Sequence, residues 1–188
     1  MPLRQRQKVQ KMLREECIMA WYVIQVRTGS ELVICEKIRQ RVSDDLWEDC
    51  FVPQVEKLYK KEGKYRKVVA PLFPGYVFIV CEEPGPVMSA LRKVSDFTKL
   101  LKTGDDFEAL SDYEVDTLLT LAGINHTVEM SVGYIEGDKV YITSGPMVGQ
   151  EGAVLKINRH KRQAEVEISF LGRPTKVSLP LEIVSKTP

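Results

Sequence analysis

The sequence predicts an α+β protein of two units: an antiparallel sheet with helices on one face, then a small five-stranded β-barrel. Strand-like segments alternate with amphipathic, helix-like segments over residues 19–122. Over residues 133–188, short strands alternate with Gly and Pro turns, which is typical of a small barrel. Residues 123–132 carry no Lys or Arg and form the expected linker. Residues 1–18, rich in Gln, Arg and Lys, are expected to be an extension with a short helix.

The first strand and helix follow from residue type and spacing. Residues 21–26 are mostly aromatic or β-branched, so they predict a strand. Ser30 can cap a helix, because its hydroxyl can accept a hydrogen bond from a free backbone N–H of the first turn. The apolar positions that follow recur at three- and four-residue spacing: Leu32, Cys35, Ile38 and Val42. An amphipathic helix ending near residues 43–45 is therefore predicted.

Residues 50–70 predict a strand after Pro53 and a charged hairpin. Residues 50–59 alternate as a strand after Pro53, and Gly63 marks the turn that leads to residues 65–70. Six basic side chains crowd this hairpin: Lys57, Lys60, Lys61, Lys64, Arg66 and Lys67. A solvated loop and a nucleic-acid contact are both consistent with that charge.

The most distinctive stretch is residues 70–80. Tyr76–Val80 is a run of aromatic and β-branched residues, a strong strand signal. Before it, Pro71 and Pro74 lack amide donors and favour extended geometry in the residue that precedes each. Gly75 then permits a turn or bulge. The stretch therefore holds apolar side chains stiffly at the mouth of a sheet, either as the rim of the core or as a docking place for a partner.

Two further helices and a short strand complete the first unit. Residues 87–94 place apolar side chains on one helical face, and residues 98–101 read as a strand. Ser111 and Glu114 form a capping-box pattern at the start of the last helix. The apolar side of that helix is expected to be Val115, Leu118, Leu119 and Ala122. The order β-α-β-β-α-β-α favours an antiparallel sheet with helices on one face.

Five short strands are predicted for the second unit. They cover residues 139–143, 152–157, 163–170, 175–179 and 182–184. In the third of them, apolar and polar residues alternate, which indicates a half-buried strand. Six glycines and three internal prolines argue against a helical alternative for these residues.

Composition excludes several classes of protein. The net charge of +1 gives no global attraction to nucleic acid or membrane, although residues 133–188 carry eight basic and six acidic groups. The four cysteines are expected to be reduced and buried in a cytoplasmic protein, with disulfides or metal as the less favoured readings: Cys17, Cys35, Cys50 and Cys81. The two histidines, His126 and His160, form no triad or metal pattern. We therefore expect no enzyme activity, cofactor, metal or membrane span.

Two sets of motifs resemble the NusG family of transcription elongation factors. The first set resembles its N-terminal (NGN) domain: Trp21-Tyr22-Val23, Cys50-Phe51-Val52-Pro53 and Phe73-Pro74-Gly75-Tyr76-Val77-Phe78. The second set resembles the KOW motif of its C-terminal domain: Gly137-Asp138-Lys139-Val140, Ser144-Gly145-Pro146-Met147 and Gly149-Gln150-Glu151-Gly152-Ala153-Val154. The resemblance covers about residues 20–185 and implies an NGN-like α/β sandwich followed by an SH3-like KOW barrel.

The resemblance implies a monomeric factor that binds the clamp helices of the β′ subunit of bacterial RNA polymerase. The motif positions imply an apolar binding face made of Tyr22, Phe51, Val52, Pro53, Phe73, Pro74 and Tyr76. Stiff, preformed apolar groups suit such a face, because little ordering entropy is lost on binding. The alternative is that Phe73 and Tyr76 only close the core.

A basic turn distinguishes the second unit. Arg159-His160-Lys161-Arg162 lies between two predicted strands, with Lys156, Arg173 and Lys176 expected nearby. Such a turn can reach RNA phosphates and bases, or can simply be a solvated turn. This density of basic residues resembles that of a specialised NusG paralogue of the LoaP type. The resemblance implies a processive antitermination factor whose barrel recognises a nascent RNA hairpin. The refolding barrel of the RfaH type is disfavoured by the Gly and Pro content.

Two other functions stay open at this point. One is a general NusG-like elongation factor whose barrel binds a protein, either a ribosomal component or a termination factor. The other is a ribosome-associated structural protein that uses its KOW barrel, since such barrels also occur in ribosomal proteins.

Overall fold

Strands and helices alternate through the first unit of the protein. The computed structural model describes residues 19–61, 64–92, 99–100, 102–103 and 106–187 of the chain. In chain order the elements of the first unit are β1 (Ala20–Gln25), α1 (Glu31–Arg41), β2 (Asp49–Phe51), β3 (Gln54–Lys61), β4 (Lys64–Pro71), β5 (Tyr76–Cys81), α2 (Pro84–Leu91), β6 (Lys99–Leu100), β7 (Lys102–Thr103), β8 (Asp106–Phe107) and α3 (Asp112–Ala122).

A four-stranded antiparallel sheet of order β2-β5-β1-β6 forms the centre of this unit. The two predicted strands with the most aromatic and β-branched residues, β1 and β5, are paired at its middle, with Tyr22 opposite Ile79 and Ile24 opposite Val77. The strand predictions for residues 21–26 and 76–80 are thereby confirmed to within one residue at each end.

The strand predicted after Pro53 is confirmed as β3, and a separate short strand, β2, precedes it. Val52 and Pro53 divide β2, in the central sheet, from β3, in a separate ribbon with β4. Pro53 has no N–H to donate to a ladder, so a strand cannot continue through it in the middle of a sheet.

Helices α1 and α2 cover one face of the central sheet. Ile34, Cys35 and Ile38 on α1 pack there against Ile24 and Ile79, and all five side chains are buried. The predicted apolar faces of two helices need correction, because Leu32 on α1 and Leu119 on α3 are 55% and 41% exposed. The other predicted positions are confirmed, since Cys35, Ile38, Val42, Leu118 and Ala122 are buried and Val115 is half-buried against the core. Ile34 on α1 and Leu121 on α3 are buried as well, so each stripe departs from the prediction only at its edge.

Several predictions fall wholly or partly on residues outside the described ranges. The helix within residues 1–18 lies entirely outside them. The helix predicted for residues 87–94 is described as far as residue 92 and begins earlier, at Pro84. Of the strand predicted for residues 98–101, residues 99 and 100 are described, as β6.

The second unit is one five-stranded sheet of order β11-β10-β14-β13-β12. After a 3-10 turn (Gly123–Asn125), its part of the chain contains β9 (Thr127–Val128), β10 (Ser131–Glu136), β11 (Lys139–Ser144), a second 3-10 turn (Glu151–Ala153), β12 (Val154–Asn158), β13 (Gln163–Phe170) and β14 (Arg173–Thr187). An α+β unit followed by a β-rich unit is the fold class that the sequence predicted.

Two predicted strands of the second unit are one continuous strand. Residues 175–179 and 182–184 both belong to β14, whose first half pairs antiparallel with β13 and whose second half pairs parallel with β10. Pro180 lies between the two halves. Because proline usually marks the end of a strand, the sequence predicted two strands there. Strand β10 takes the fifth place in the sheet, although no strand was predicted for it.

The segment expected as a linker, residues 123–132, holds the first 3-10 turn, β9 and the start of β10. Strand β9 pairs parallel with β3 of the first unit, through Gln54 opposite Thr127 and Val55 opposite Val128. The segment therefore packs along the first unit through β9 and continues directly into β10 of the second unit.

One hydrophobic core joins the two units. On the first unit it contains Val23, Phe51 and Phe78 from the face of the central sheet opposite α1 and α2. On the second unit it contains the inward side chains of β13 and β14: Ala164, Val166, Ile168, Phe170, Val177, Leu179 and Leu181. The central sheet is thus covered by α1 and α2 on one face. The core on its other face is completed by the second unit and by α3, which contributes Leu118, Leu121 and Ala122.

Candidate functional site

Four rings of the first unit form an aromatic face that meets one ring of the second. We define the aromatic face as Phe51, Phe73, Tyr76 and Phe78. Phe170 of β13 stacks on Phe73 with ring centroids 4.1 Å apart, and lies 5.4 Å from Tyr76 and 5.9 Å from Phe78. Ring pairs at these separations add stabilisation beyond the apolar area they bury.

A buried carboxylate fixes the loop that carries Phe73 and Tyr76. Gly75 has a positive φ of 89°, and its N–H donates to the Glu31 carboxylate over 2.6 Å. The N–H of Gly29 donates to the other oxygen of Glu31 over 2.9 Å. Burial alone would raise the pKa of Glu31, but these hydrogen bonds and one from its own N–H lower it overall. Glu31 lies in the first turn of α1, and no pattern in the sequence indicated this role for it.

The residues expected to bind polymerase occupy different environments. Phe51, Pro53 and Phe73 are buried, Pro74 is exposed and Tyr76 is half-buried. Of these, Phe51, Phe73 and Tyr76 belong to the core that the second unit shares. Tyr22 and Val52 instead belong to the core under α1 and α2, on the opposite side of the sheet. The structure therefore brings three of the seven expected residues together, in a core that the second unit shares.

Glu114 makes polar contacts between the units. It lies in the first turn of α3 and is 3% exposed, with one oxygen accepting from the Ser111 N–H and hydroxyl at 2.9 and 2.8 Å. The other oxygen accepts from the Ser169 hydroxyl at 3.0 Å and the Gly172 N–H at 2.9 Å, both in the second unit. Burial raises the pKa of Glu114, but these hydrogen bonds, with that from Gly172 strongest, lower it overall. The capping box predicted from the sequence is present and has this second role.

His126 contacts Phe51 and Asp49 of the first unit, which the sequence did not indicate. Its ring stacks on Phe51 with centroids 3.5 Å apart and planes 7° from parallel. Its Nε2 atom lies 2.9 Å from an Asp49 carboxylate oxygen. The backbone of His126 has a positive φ of 53°, directly after the first 3-10 turn. The chain that leaves the first unit is thus anchored on the aromatic face.

The basic turn projects from the end of the second unit. Its backbone is closed by the Asn158 side chain, which accepts from the Lys161 N–H over 3.0 Å. Arg159, His160 and Lys161 are exposed. Arg162 instead turns toward the first unit: its guanidinium lies 4.2 Å from the centre of the Tyr65 ring and 3.2 Å from Glu182.

The seven basic residues expected to contact RNA do not form one patch. Lys156 and Lys176 lie on the outer face of the sheet around Glu165, and Lys176 pairs with Glu165 at 3.9 Å. Arg173 lies beside Phe170, at the far end of β13 from the basic turn. At about 3.3 Å per residue, β13 separates the two ends by roughly 23 Å.

The thiols that the structure describes belong to the core under α1 and α2. Cys35, Cys50 and Cys81 are free and buried, and Cys17 lies outside the described residues. The sulfurs of Cys35 and Cys50 are 3.7 Å apart, and burial raises the pKa of Cys81 to about 11. Among the residues that the structure describes, no group of His, Cys, Asp and Glu side chains could hold a metal ion. Nor does any helix in those ranges have the length and apolar character needed to cross a membrane.

Comparisons with known proteins identify the family. Residues 19–119 match the family described as transcription termination factor nusG, and residues 136–169 match the KOW motif. Two relatives are each called transcription termination/antitermination protein NusG. That of Haemophilus influenzae is 31% identical, covering 88% of this chain and 93% of its own. That of Thermus thermophilus is 28% identical, covering 88% of this chain and 97% of its own.

A solved structure agrees on the fold. It is titled "Domain interaction in Thermotoga maritima NusG", has a TM-score of 0.53 at 23% identity, and the match covers 86% of this chain and 93% of that one. The sequence relatives and the family match, which extends over more than half of the chain, establish the relationship itself. The chain therefore belongs to the NusG family, whose members are transcription factors rather than enzymes.

Proposed function

We propose that this protein is a transcription elongation and processive antitermination factor of the LoaP type, acting as a monomer in the bacterial cytoplasm. The first unit binds the β′ clamp helices of RNA polymerase through the aromatic face, and the second unit binds a nascent RNA hairpin through the basic turn. The aromatic face carries this proposal, because its rings are preorganised by Glu31 and Gly75 and so lose little entropy on binding.

Polymerase binding requires the two units to separate. Phe73 is 4% exposed because Phe170 stacks on it, so a clamp helix and the second unit compete for one surface. The docked arrangement is then the unbound form of the factor, and its stability lowers the apparent affinity for polymerase.

Three exposed groups of the basic turn support the RNA half. Among the described residues, none of Arg159, His160 and Lys161 has an acidic partner. Their positive charge is therefore free to attract phosphate, and Arg159 can also stack on an unpaired base. Arg162 contributes less, because Tyr65 and Glu182 already engage its guanidinium.

Pull-down of core RNA polymerase tests the first half. Tyr76→Ser should reduce capture at least tenfold, while Tyr113→Ser, which removes a 70% exposed ring on α3, should leave it unchanged. Equal capture by the two variants would refute the docking face.

Binding of a leader RNA hairpin tests the second half. Arg159→Ala combined with Lys161→Ala should weaken binding and flatten its salt dependence, because two phosphate contacts are lost. Lys139→Ala with Lys186→Ala removes the same charge from exposed sites elsewhere on the unit and serves as the control.

The alternative is a general elongation factor whose second unit binds a protein. Exposed apolar side chains favour it: Val148, Leu155 and Val184 are 51%, 49% and 66% exposed. If RNA binding is absent while a ribosomal component or termination factor binds, this alternative holds.

A further inference from the structure

Two thiols of the first unit lie in contact. Cys35 on α1 and Cys50 on β2 have their sulfur atoms 3.7 Å apart, although 15 positions separate them in the chain. The Cys35 thiol also donates to the Cys50 carbonyl oxygen, with the sulfur 3.3 Å from that oxygen. Bonded sulfurs lie about 2.05 Å apart, so the pair has to close by only about 1.7 Å to form a disulfide. Rotation of the two side chains supplies a movement of that size.

An arginine lies beside the thiol pair. Arg39 follows Cys35 by one turn of α1, on the same side of the helix. Its guanidinium donates two hydrogen bonds to the Cys50 carbonyl oxygen, one of them over 2.9 Å. The Cys35 thiol and the Arg39 guanidinium therefore meet at one oxygen atom. A cation in this position stabilises a thiolate, which is the reactive form of cysteine.

The two thiols differ in their tendency to ionise. The hydrogen bond with Cys50 and the charge of Arg39 lower the pKa of the Cys35 thiol overall, although burial raises it. The same hydrogen bond and burial raise the pKa of Cys50, which therefore keeps its proton. The contact thus joins a thiol that ionises readily to one that does not. Redox-sensitive cysteines are typically of this kind, with a resolving thiol next to the reactive one.

Only a small oxidant can reach this pair. Cys35 is 4% exposed, and Cys50 is fully buried. Arg39, in contrast, is an exposed residue, so displacement of its side chain opens the Cys35 sulfur to a molecule the size of hydrogen peroxide. A bulky disulfide such as oxidised glutathione would require much wider opening of the core. The site therefore selects a small hydroperoxide.

We propose that Cys35 and Cys50 form a modification site that hydrogen peroxide, or another small hydroperoxide, converts to a disulfide. The Cys35 thiolate attacks one peroxide oxygen and the O–O bond breaks, and the leaving hydroxide takes up the proton that Cys35 lost. The Cys50 thiol then attacks the sulfur of the resulting sulfenic acid, and the S–O bond breaks with release of water. The two thiols lose two electrons, which reduce the peroxide to two molecules of water.

The disulfide joins two elements that hold the aromatic face. Helix α1 begins with Glu31, whose carboxylate accepts from the Gly75 N–H. Strand β2 carries Phe51 of the aromatic face and Asp49, which contacts His126. Oxidation therefore makes the first unit harder to unfold, because the crosslink restricts the unfolded chain. The site goes beyond the proposed function and does not depend on it.

Mass spectrometry of the full chain after treatment with hydrogen peroxide tests the proposal. We expect the loss of two hydrogen atoms and, in a non-reducing peptide digest, a link between Cys35 and Cys50 that dithiothreitol reverses. Cys35→Ala and Cys50→Ala should each abolish the link. Cys81→Ala is the matched control, because it removes another fully buried thiol of the same core, and it should leave the link intact. Cys17→Ala should also leave it intact.

The rate of disulfide formation tests the role of Arg39. Arg39→Met keeps an apolar stem and removes the charge, so it should slow the reaction about fivefold or more, because the thiolate is less stabilised. Arg41→Met removes another exposed charge of the same helix and should change the rate less than twofold. Equal rates in these two variants would overturn the activation of Cys35 by Arg39 and with it the site.

Thermal unfolding followed by tryptophan fluorescence measures the consequence, because both tryptophans belong to the first unit. Closing a loop of this length should raise the unfolding midpoint by roughly 5 °C or more. The Cys35→Ala variant should show no such shift after the same peroxide treatment. If the digest of the unaltered chain contains no link between Cys35 and Cys50, or only links to Cys17 or Cys81, the proposal is overturned.

Discussion

The two faces of the central sheet are covered in different ways. On one face, the neighbouring helices α1 and α2 bury mostly aliphatic side chains such as Ile24, Ile38 and Ile79. On the other, a separate unit buries aromatic rings and reaches across with hydrogen bonds to Glu114. A cover formed by neighbouring elements of the same unit cannot leave without unfolding it, whereas a cover formed by a second folded unit can. The difference supports the proposal that the aromatic face is the one that exchanges the second unit for polymerase.

Removal of the central ring of the second cover should have the largest effect. Phe170→Ala costs about 3–5 kcal/mol for a buried ring, and much of that cost falls on the contact between units. We expect the units to separate while both stay folded, and polymerase affinity to rise. Small-angle scattering and amide NMR spectra of the full chain measure this. Tyr141→Ala is the control, because it removes a ring of the same unit that is already 38% exposed. Unchanged dimensions would contradict the prediction.

Damage to the first cover should have a similar cost but a different outcome. Ile38 is fully buried on α1, so Ile38→Ala should destabilise the first unit by about 2–5 kcal/mol. Denaturant unfolding followed by tryptophan fluorescence measures this loss, because both tryptophans belong to this unit. Leu32→Ala, on the exposed side of the same helix, should cost far less. If the two units of the Ile38→Ala variant separated while both stayed folded, the helices and the second unit would respond to damage in the same way. That result would contradict the proposed difference between the two faces.

The polar part of the second cover should make docking depend on pH. Glu114 has a lower pKa when docked than its ordinary value of 4.5. The contact is therefore fully present above about pH 4.5 and is lost as the pH falls through the lowered pKa. Glu114→Gln should weaken docking by about 1.5–3 kcal/mol and remove this pH dependence.

Scattering at a series of pH values follows the effect on docking. Asp116→Asn, an exposed acid on the same helix, should behave like the unaltered chain. A docked fraction that is constant with pH in the unaltered chain, or equally pH-dependent in the Glu114→Gln variant, would rule out this role for Glu114.

The smallest effect is expected at the edge of the contact. Arg162 joins Tyr65 and Glu182 there, and its side chain is 31% exposed. Arg162→Ala should weaken docking by only about 0.5–1 kcal/mol, because exposed cation–π and ion pairs contribute little. Comparison with Arg159→Ala, which should not affect docking, isolates that contribution. If Arg162→Ala reduced the free energy of docking as much as Phe170→Ala does, Arg162 would lie at the centre of the contact and not at its edge, which would contradict this prediction.

The fold was largely predictable from local signals. Runs of aromatic and β-branched residues identified β1 and β5, alternation identified β13, and the pattern of Ser111 and Glu114 identified the start of α3. Errors arose where long-range packing decides. Pro53 separates two strands that belong to different sheets, and β14 changes its partner from β13 to β10 after Pro180. The positions of Leu32 and Leu119 show the same limit, since a helical pattern does not say which side the sheet will cover.

The sequence by itself determined two folded units, their order, the stiff apolar loop before β5 and the basic turn, because each follows from residue type and spacing over a few positions. Only the tertiary structure decided what these features contact. Phe170 on Phe73, Glu114 on Gly172, and His126 on Phe51 join residues 58 to 97 positions apart. No local periodicity encodes such pairs, because they depend on how two separately formed surfaces fit together in space.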